Sequence, residues 1–532
     1  MLNKILKQDW GFDGVVISDW GGCHDTDEAV KNGLDLEFGT WTDGLTMGKT
    51  NAYDSYFLAD AYKQGIREGK YTTKELDDKV RRLLRLYYRT TMKRDKPFGF
   101  LCSDSHYQAA LEIAQQGIVL LKNEKIKKLK NEKMAAPLLP IDVTKTKRIL
   151  VVGENAIKMM TVGGGSSSLK VQREILPLDG IASYLHQKGN HNSQLSTLNS
   201  QLDYARGYVG DTIQSYNGVT VGRSLYETRS QAELTAEAVE KAREADIVIF
   251  IGGLNKSDHQ DCEGHDRLSY DLPYAQNEVI EAILKVNPRL VYVNISGNGA
   301  ALPWLDKVPA VVQAWFIGSE AGEAIASVLF GDVNPSGKLP FTWYASLDQC
   351  GAHALNAYPG VWREDHKIID EEYKEGVFVG YRWLDRLQAN HKAQSSKLKV
   401  QSPLFAFGHG LSYTTFKLGK LTADKTTMTE GDEITFTIPV TNTGSMAGAE
   451  TVQLYISDLE ASVERPVKEL KAFQKVFLQP GETQQVSLTI DKGALSFYDE
   501  ANSQWKAEPG TFEALVGTAS DKIISRCSFT LQ

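Results

Sequence analysis

The feature that most constrains this chain is an alternation. Between about residues 105 and 350 lie the apolar runs "RILVVGENA", "DIVIFIGGLN", "RLVYVNISGNG" and "AVVQAWFIG". Helical patterns such as "QAELTAEAVEKAREA", "YAQNEVIEAILKVN" and "SEAGEAIASVLFG" lie between and after them. Short apolar runs bounded by glycine read as strands buried on both faces. Strands that alternate with helices predict an open, largely parallel sheet with helices on both sides.

The flanks differ in character. Residues 1 to about 100 hold two strand-like pieces, Gly14–Asp19 and Gly33–Phe38, and then a helical stretch in which Leu76, Val80, Leu83, Leu84 and Tyr87 share one face. From about residue 411, "DEITFTIPVTNTGSMAGAETVQLYISD" and "KELKAFQKVFLQPGETQQVSLTI" alternate apolar and polar residues around Asn-Thr-Gly and Pro-Gly-Glu turns, which predicts an all-β sandwich. At 532 residues, two to four domains are expected.

Composition excludes several classes. A net charge of −8 and the lack of a long basic stripe argue against nucleic acid as a partner. The one basic run, Lys122 to Lys133, contains Glu124 and Glu132 and reads as a solvated loop. Cys23, Cys102, Cys262, Cys350 and Cys527 are too scattered for a disulfide framework or a zinc ribbon. No stretch is long and apolar enough to span a membrane, and residues 1–10 lack a signal peptide's apolar core. A periplasmic or secreted location is expected if a leader precedes Met1.

Two glycine-bearing stretches imitate nucleotide motifs. "DGLTMGKT", residues 43–50, has Asp43 where a phosphate-binding loop needs its first glycine. "VVGENAIKMMTVGGGSSS" follows a strand, but Gly153 lacks the G-x-x-G continuation of a dinucleotide fingerprint. Its "GGGSSS", residues 163–168, reads as a close-packed or ligand-facing loop.

Two other stretches carry chemistry. "GFDGVVISDWGG", residues 11–22, ends a buried-strand pattern in Asp19 and Trp20, where barrels and open sheets place reactive groups. "GGLNKSDHQDCEGHDRLSYDLP", residues 252–273, gathers Asp258, His259, Asp261, Glu263, His265 and Asp266 after a strand. These are metal-ligand types, but their spacing fits no common metal signature, and a solvated loop accounts for them equally well. Asp266–Arg267 reads as a structural ion pair. Together, Asp19 and the carboxyl-rich loop could form a pair of acids flanking a glycosidic bond.

These stretches resemble glycoside hydrolase family 3 along nearly the whole chain. "GFDGVVISDW" resembles the nucleophile motif and "GLDLEFG" the final barrel strand, while "GIVLLKNE" resembles the start of the α/β/α sandwich. "GGGSSS", "CEGHDRLSYDLPYAQ", "GDVNPSGKLPFTW", "EGVFVGYRW" and "FAFGHGLSYTTF" follow in the family's order. The resemblance implies an α/β multidomain protein in three parts. Residues 1–104 would be the C-terminal part of a (β/α)8 barrel, a remnant holding its last two strands. Residues 105–410 would be the α/β/α sandwich with a linker, and 411–532 a fibronectin type III-like β-sandwich.

The resemblance further implies a retaining exo-β-glycosidase, a β-glucosidase acting on terminal non-reducing β-D-glucosyl residues of an oligosaccharide or glycoside. Asp19 would be the nucleophile, Glu263 the acid/base and Trp20 an aromatic wall of the sugar site, with no cofactor and no metal. Such a mechanism needs the carboxyl groups about 5–5.5 Å apart and environments that keep Glu263 protonated while Asp19 is ionised. A Trp filling the core is the plain alternative for Trp20.

The family's earlier barrel strands, which supply an Asp, an Arg and a Lys-His pair to the sugar hydroxyls, have no counterpart here. The chain is therefore expected to be a fragment with impaired activity. The alternatives are an inactive carbohydrate-binding remnant, a β-xylosidase or other exo-glycosidase of the same family, and a nucleotide-dependent α/β enzyme that the failed motif spacings disfavour.

Overall fold

The structure is a computed structural model. It describes residues 1–38, 56–93, 95, 97–125, 136–161, 169–191, 201–211, 215–216, 219–220, 224–263, 265–365, 368–394 and 402–532. "DGLTMGKT" and "GGGSSS" lie outside them. The chain forms two compact units, Met1–Leu101 and Cys102–Gln532.

In the first unit, a π-helical segment (Leu2–Asp9) precedes the helices α1 (Thr26–Lys31), α2 (Asp60–Arg67) and α3 (Thr73–Arg89). Side chains cap two of these helices. Asp25 accepts from the Glu28 N–H at 2.8 Å and Thr72 from the Lys74 N–H at 3.3 Å.

The two expected strands are reduced to one parallel bridge, Ile17 with Leu36. A lone parallel pair has little stability of its own, and side chains pin it instead. Buried Asp35 accepts from the Val16 N–H at 2.8 Å and from Lys7 Nζ at 2.6 Å.

α3 has the predicted helical period, but its apolar face is not buried: Leu76, Val80, Leu84 and Tyr87 are all exposed. The residue it buries is Lys79, whose ammonium donates to the carbonyls of Ala29 (3.2 Å), Val30 (3.3 Å) and Leu34. Burial pulls the Lys79 pKa below its ordinary value. At the next turns Arg82 donates to the carbonyls of Phe12 and Gly14, and Arg89 forms a two-pronged pair with Asp13. Helix α3 thus holds the segment leading to Asp19 through its cations.

The second unit opens with α4 (Asp104–Gly117) and a six-stranded sheet. Its strands are β1 (Val119–Asn123), β2 (Arg148–Val152), β3 (Gln201–Ala205), β6 (Ile247–Gly253), β7 (Leu290–Ile295) and β8 (Ala310–Gln313); a small ribbon, β4 (Ser215–Tyr216) with β5 (Val219–Thr220), lies outside it. The order is β1-β8-β7-β6-β2-β3, parallel throughout except for β1, which runs antiparallel to β8. The open parallel sheet read from the apolar runs is therefore present, with one antiparallel edge.

Strands β6, β7 and β8 are buried along their whole length. One core layer packs Ile149, Ile249 and Val293 with α5 (Pro177–His191) and α8 (Ala321–Leu329). The other packs Leu150, Phe250 and Tyr292 with α6 (Gln231–Glu244) and α7 (Gln276–Leu284). Lys122, assigned from sequence to a solvated run, instead lies in β1 and donates to the Leu305 carbonyl at 2.7 Å.

The C-terminal part is a β-sandwich. Its four-stranded sheet is built on Glu433–Asn442, which pairs with Thr483–Asp491. The five-stranded sheet includes Gly448–Asp458, Gly510–Ala519 and Lys522–Leu531. Ile434, Phe436, Ile438 and Val440 alternate inward, and the Phe436 and Phe529 rings meet edge-on at 5.4 Å across the core. The Tyr381–Gln394 helix is tied to this sandwich by a two-pronged pair from Arg386 to Glu464, both bonds 2.7 Å long, and by Asp385 with Lys468. Among the described residues, no helix is long and apolar enough to cross a membrane.

Candidate active site

The sheet order changes direction at β2, with β3 on one side and β6 on the other. Open α/β sheets bind ligands beyond the carboxyl ends of their strands near such a switch. Here the crevice at the switch is filled by buried charge. Arg206 donates to Glu154 at 2.6 Å, Lys158 pairs with Asp211 and lies 3.9 Å from Glu154, and Ser257 donates to Asp211. Desolvation raises the Glu154 carboxyl, against the pull of Lys158 and Arg206. A β-carbon on Gly210 would lie 2.0 Å from a Glu154 oxygen. The cations here are already paired with Glu154 and Asp211, whose carboxylates would repel a phosphate, which weighs against the nucleotide reading of "VVGEN".

The open cavity lies one step along the sheet, over the carboxyl ends of β6, β7 and β8. It encloses about 1340 Å³ and is lined by residues from the 256–270 loop, Asn298, Phe316 and the 340–382 segment. Glu263 lines it and is solvent-exposed.

The loop carrying Glu263 is pinned on both sides. Asp261 accepts from the Gly297 N–H at 2.7 Å and from Asn298 Nδ2 at 2.6 Å. Burial raises its carboxyl pKa, partly offset by these bonds and by Lys256 and Arg267. Arg267 donates to Asn298 Oδ1 and the Gly299 carbonyl, each at 2.7 Å, and to the Tyr270 carbonyl at 3.1 Å. The expected Asp266–Arg267 ion pair is therefore not formed. Asp266 accepts instead from the Tyr358 hydroxyl, because adjacent side chains on an extended loop diverge.

Sequence reasoning missed the aromatic lining. Tyr270, Phe316, Phe341, Tyr344 and Tyr358 face the cavity from four separate segments. Tyr270 donates to the Tyr344 carbonyl at 2.9 Å. Only Tyr344 and Tyr358 follow "GDVNPSGKLPFTW", where Tyr and Phe are dense; Tyr270, Phe316 and Phe341 lie before or within it.

In the first unit, Asp19 follows the Ile17 bridge and is exposed. The Ser18 N–H donates to the Leu36 carbonyl at 3.0 Å, the Gly22 N–H to the Asp19 carbonyl at 3.0 Å, and the Trp20 N–H to Asp19 Oδ1 at 2.7 Å. This tight turn presents the carboxylate outward. Trp20 is 46% exposed and rests on Phe38, with ring centroids 4.1 Å apart, beside a hollow of 360 Å³. It is not a core-filling residue here. Asp19 and Trp20 belong to one unit, and Glu263 to the other.

Residues 118–381 match the glycosyl hydrolase family 3 C-terminal domain, and residues 450–520 match the fibronectin type III-like domain. The chain is 46% identical to the beta-glucosidase BoGH3A of Bacteroides ovatus, over 99% of its own length and 65% of the relative's. It is 30% identical to a beta-glucosidase of Rhizobium radiobacter, over 100% of the chain and 74% of that relative. Among solved structures, a GH3 beta-glucosidase of Bifidobacterium adolescentis superposes with a TM-score of 0.78 at 28% identity, covering 100% of this chain and 66% of the other. The chain spans less than two thirds, 60–65%, of the length of the first curated relatives it matches. Motifs in family order, a parallel sheet followed by a β-sandwich, and matches running from end to end agree: the chain belongs to glycoside hydrolase family 3.

Proposed function

We propose that this chain supplies both catalytic carboxyl groups of a retaining exo-β-glycosidase, a β-glucosidase removing terminal non-reducing β-D-glucosyl residues. The observation that carries this reading is 46% identity to a beta-glucosidase over 99% of the chain. The exposed positions of Asp19 and Glu263 support it. The reading divides the chain at residues 104 and 410, with the nucleophile in the first part and the proton donor in the second.

In the first step Asp19 attacks the anomeric carbon. The glycosidic bond breaks as its oxygen takes the Glu263 proton, leaving a glucosyl ester on Asp19. In the second step Glu263, now a carboxylate, takes a proton from water, whose oxygen attacks the same carbon and releases Asp19. Two inversions retain the configuration. The scheme needs nothing beyond the two carboxyl groups to supply nucleophile and proton. Trp20 offers its exposed indole face to the C–H face of the sugar.

The test is turnover of an aryl β-glucoside by the protein carrying this sequence. Asp19→Asn is expected to abolish it. Glu263→Ala is expected to cripple it least for good leaving groups, which need little protonation, and to yield a β-glucosyl azide when azide is added. Wild-type behaviour of Glu263→Ala would move the acid/base role to Asp261 or Asp258.

A further inference from the structure

The loop that carries Glu263 also gathers a donor set that the hydrolytic scheme does not use. Asp258, His259 and His265 each place a potential ligand atom within 4.8 Å of the others. His265 Nδ1 donates to Asp258 Oδ1 at 2.6 Å, a hydrogen bond that a bound cation would replace, leaving His265 Nε2 with a lone pair, and His259 Nε2 lies 3.7 Å from Asp258 Oδ2. The two imidazole rings are 4.8 Å apart.

The ring of His259 is already oriented as a ligand. Its Nδ1 is 3.0 Å from the Asp266 carbonyl, which can only accept. In the neutral ring Nδ1 therefore carries the hydrogen, and Nε2 keeps its lone pair. A backbone carbonyl holding the other ring nitrogen is the usual support of a metal-binding histidine. Cys262 adds a thiol sulfur 4.0 Å from Asp258 Oδ1.

We propose that Asp258, His259 and His265 bind a late first-row divalent cation of the Zn²⁺ type, with Cys262 or water completing the coordination. Two imidazoles and a carboxylate, with a thiol nearby, suit a borderline-soft ion and not Mg²⁺ or Ca²⁺, which take oxygen ligands. Tetrahedral Zn²⁺ holds its donors roughly 3.3 Å apart. Rotation of these side chains, which are 40%, 62% and 60% exposed for His259, His265 and Asp258, opens the 2.6 Å His265–Asp258 contact and closes the wider ones to that spacing. Glu263 lies between Cys262 and His265, so a bound ion fixes the backbone on either side of it. That consequence for catalysis rests on the glycosidase reading, whereas the binding does not.

The experiment is a titration of tag-free protein with Co²⁺, followed by visible absorption, with Zn²⁺, Mg²⁺ and Ca²⁺ as competitors. The expected result is saturation at one ion per chain, displacement by Zn²⁺ but not by excess Mg²⁺ or Ca²⁺, and an affinity loss of about tenfold or more in the His259→Gln/His265→Gln variant. These side chains are exposed, so unchanged circular dichroism and thermal melting are expected to show that the variant is folded. Absence of saturable binding, displacement by Mg²⁺, or unchanged affinity in the folded double variant would overturn the proposal. Because binding is read without substrate, it fails or succeeds independently of the hydrolytic reading.

Discussion

Asn298 is held from two sides: its amide donates to Asp261 Oδ1 at 2.6 Å, and its carbonyl oxygen accepts from Arg267 Nη1 at 2.7 Å. A residue beyond β7 thereby anchors both flanks of the loop that presents Glu263. Asn298→Ala leaves Asp261 with the Gly297 N–H and removes one acceptor from Arg267. The expected cost is about 1–3 kcal/mol of stability, with a fall in kcat/KM on an aryl β-glucoside as Glu263 loses its fixed position. Unchanged melting and kinetics would show that the loop is held elsewhere.

The charge cluster at the switch of the sheet makes a larger prediction. Arg206 is buried and bonded to Glu154 and to the Leu225 carbonyl, each at 2.6 Å. Arg206→Leu leaves part of the Glu154 charge uncompensated in the interior, and breaking a buried pair from one side costs about 3–5 kcal/mol. Urea unfolding followed by tryptophan fluorescence measures it. A loss below about 1 kcal/mol, the scale of an exposed pair, would mean that the cluster is hydrated.

The β-sandwich carries a pH signature. Glu508 accepts from Ser462 Oγ at 2.7 Å and from Lys506 Nζ at 2.8 Å, and these bonds lower its pKa from 4.5 to about 2. A carboxyl group depressed by folding stabilises the native state above its unfolded pKa and loses that contribution as pH falls through the folded value. Glu508→Gln is therefore expected to melt below wild type at pH 6, with the gap closing between about pH 4.5 and 2. A gap independent of pH would contradict the assignment.

Much of this was legible in the sequence where apolar residues act locally. Ile247–Gly253 is an unbroken apolar run and Leu290–Ile295 one interrupted only by Asn294, both form central parallel strands, and the alternation in Glu433–Asn442 is an inward-outward strand. Charged residues with distant partners were not legible. Lys79 sits in a helix pattern that predicts solvent, yet its partners lie 45 to 50 residues away. Asp35 and Lys7 pair across 28 residues, and Arg206 and Glu154 across 52. Adjacency misled in the opposite direction at Asp266–Arg267. The cavity's aromatic walls escaped notice because Tyr270 and Tyr344 meet only once the sheet brings their segments together.

Trp20 separates sugar stacking from packing. Its indole is half exposed, so Trp20→Ala is expected to leave thermal stability nearly unchanged while weakening substrate binding. A stacked aromatic contributes about 0.5–1.5 kcal/mol beyond simple burial, which corresponds to a rise in KM of roughly 2- to 13-fold. Trp20→Phe is expected to recover most of the loss. A large drop in melting temperature with KM unchanged would make Trp20 a packing residue.

The central claim is that Asp19 forms a covalent glucosyl ester, and trapping that ester tests it most directly. In 2-deoxy-2-fluoro-β-glucosyl fluoride, the ring fluorine destabilises the oxocarbenium-like transition states of both steps, while the good leaving group keeps the first step fast enough for the ester to accumulate. Incubation of the protein carrying this sequence, followed by proteolysis and mass spectrometry, is predicted to place one fluoroglucosyl group on Asp19, within "GFDGVVISDWGG". No label is predicted in Asp19→Asn. A label on another carboxylate, or turnover of an aryl β-glucoside with inverted configuration, would contradict the account.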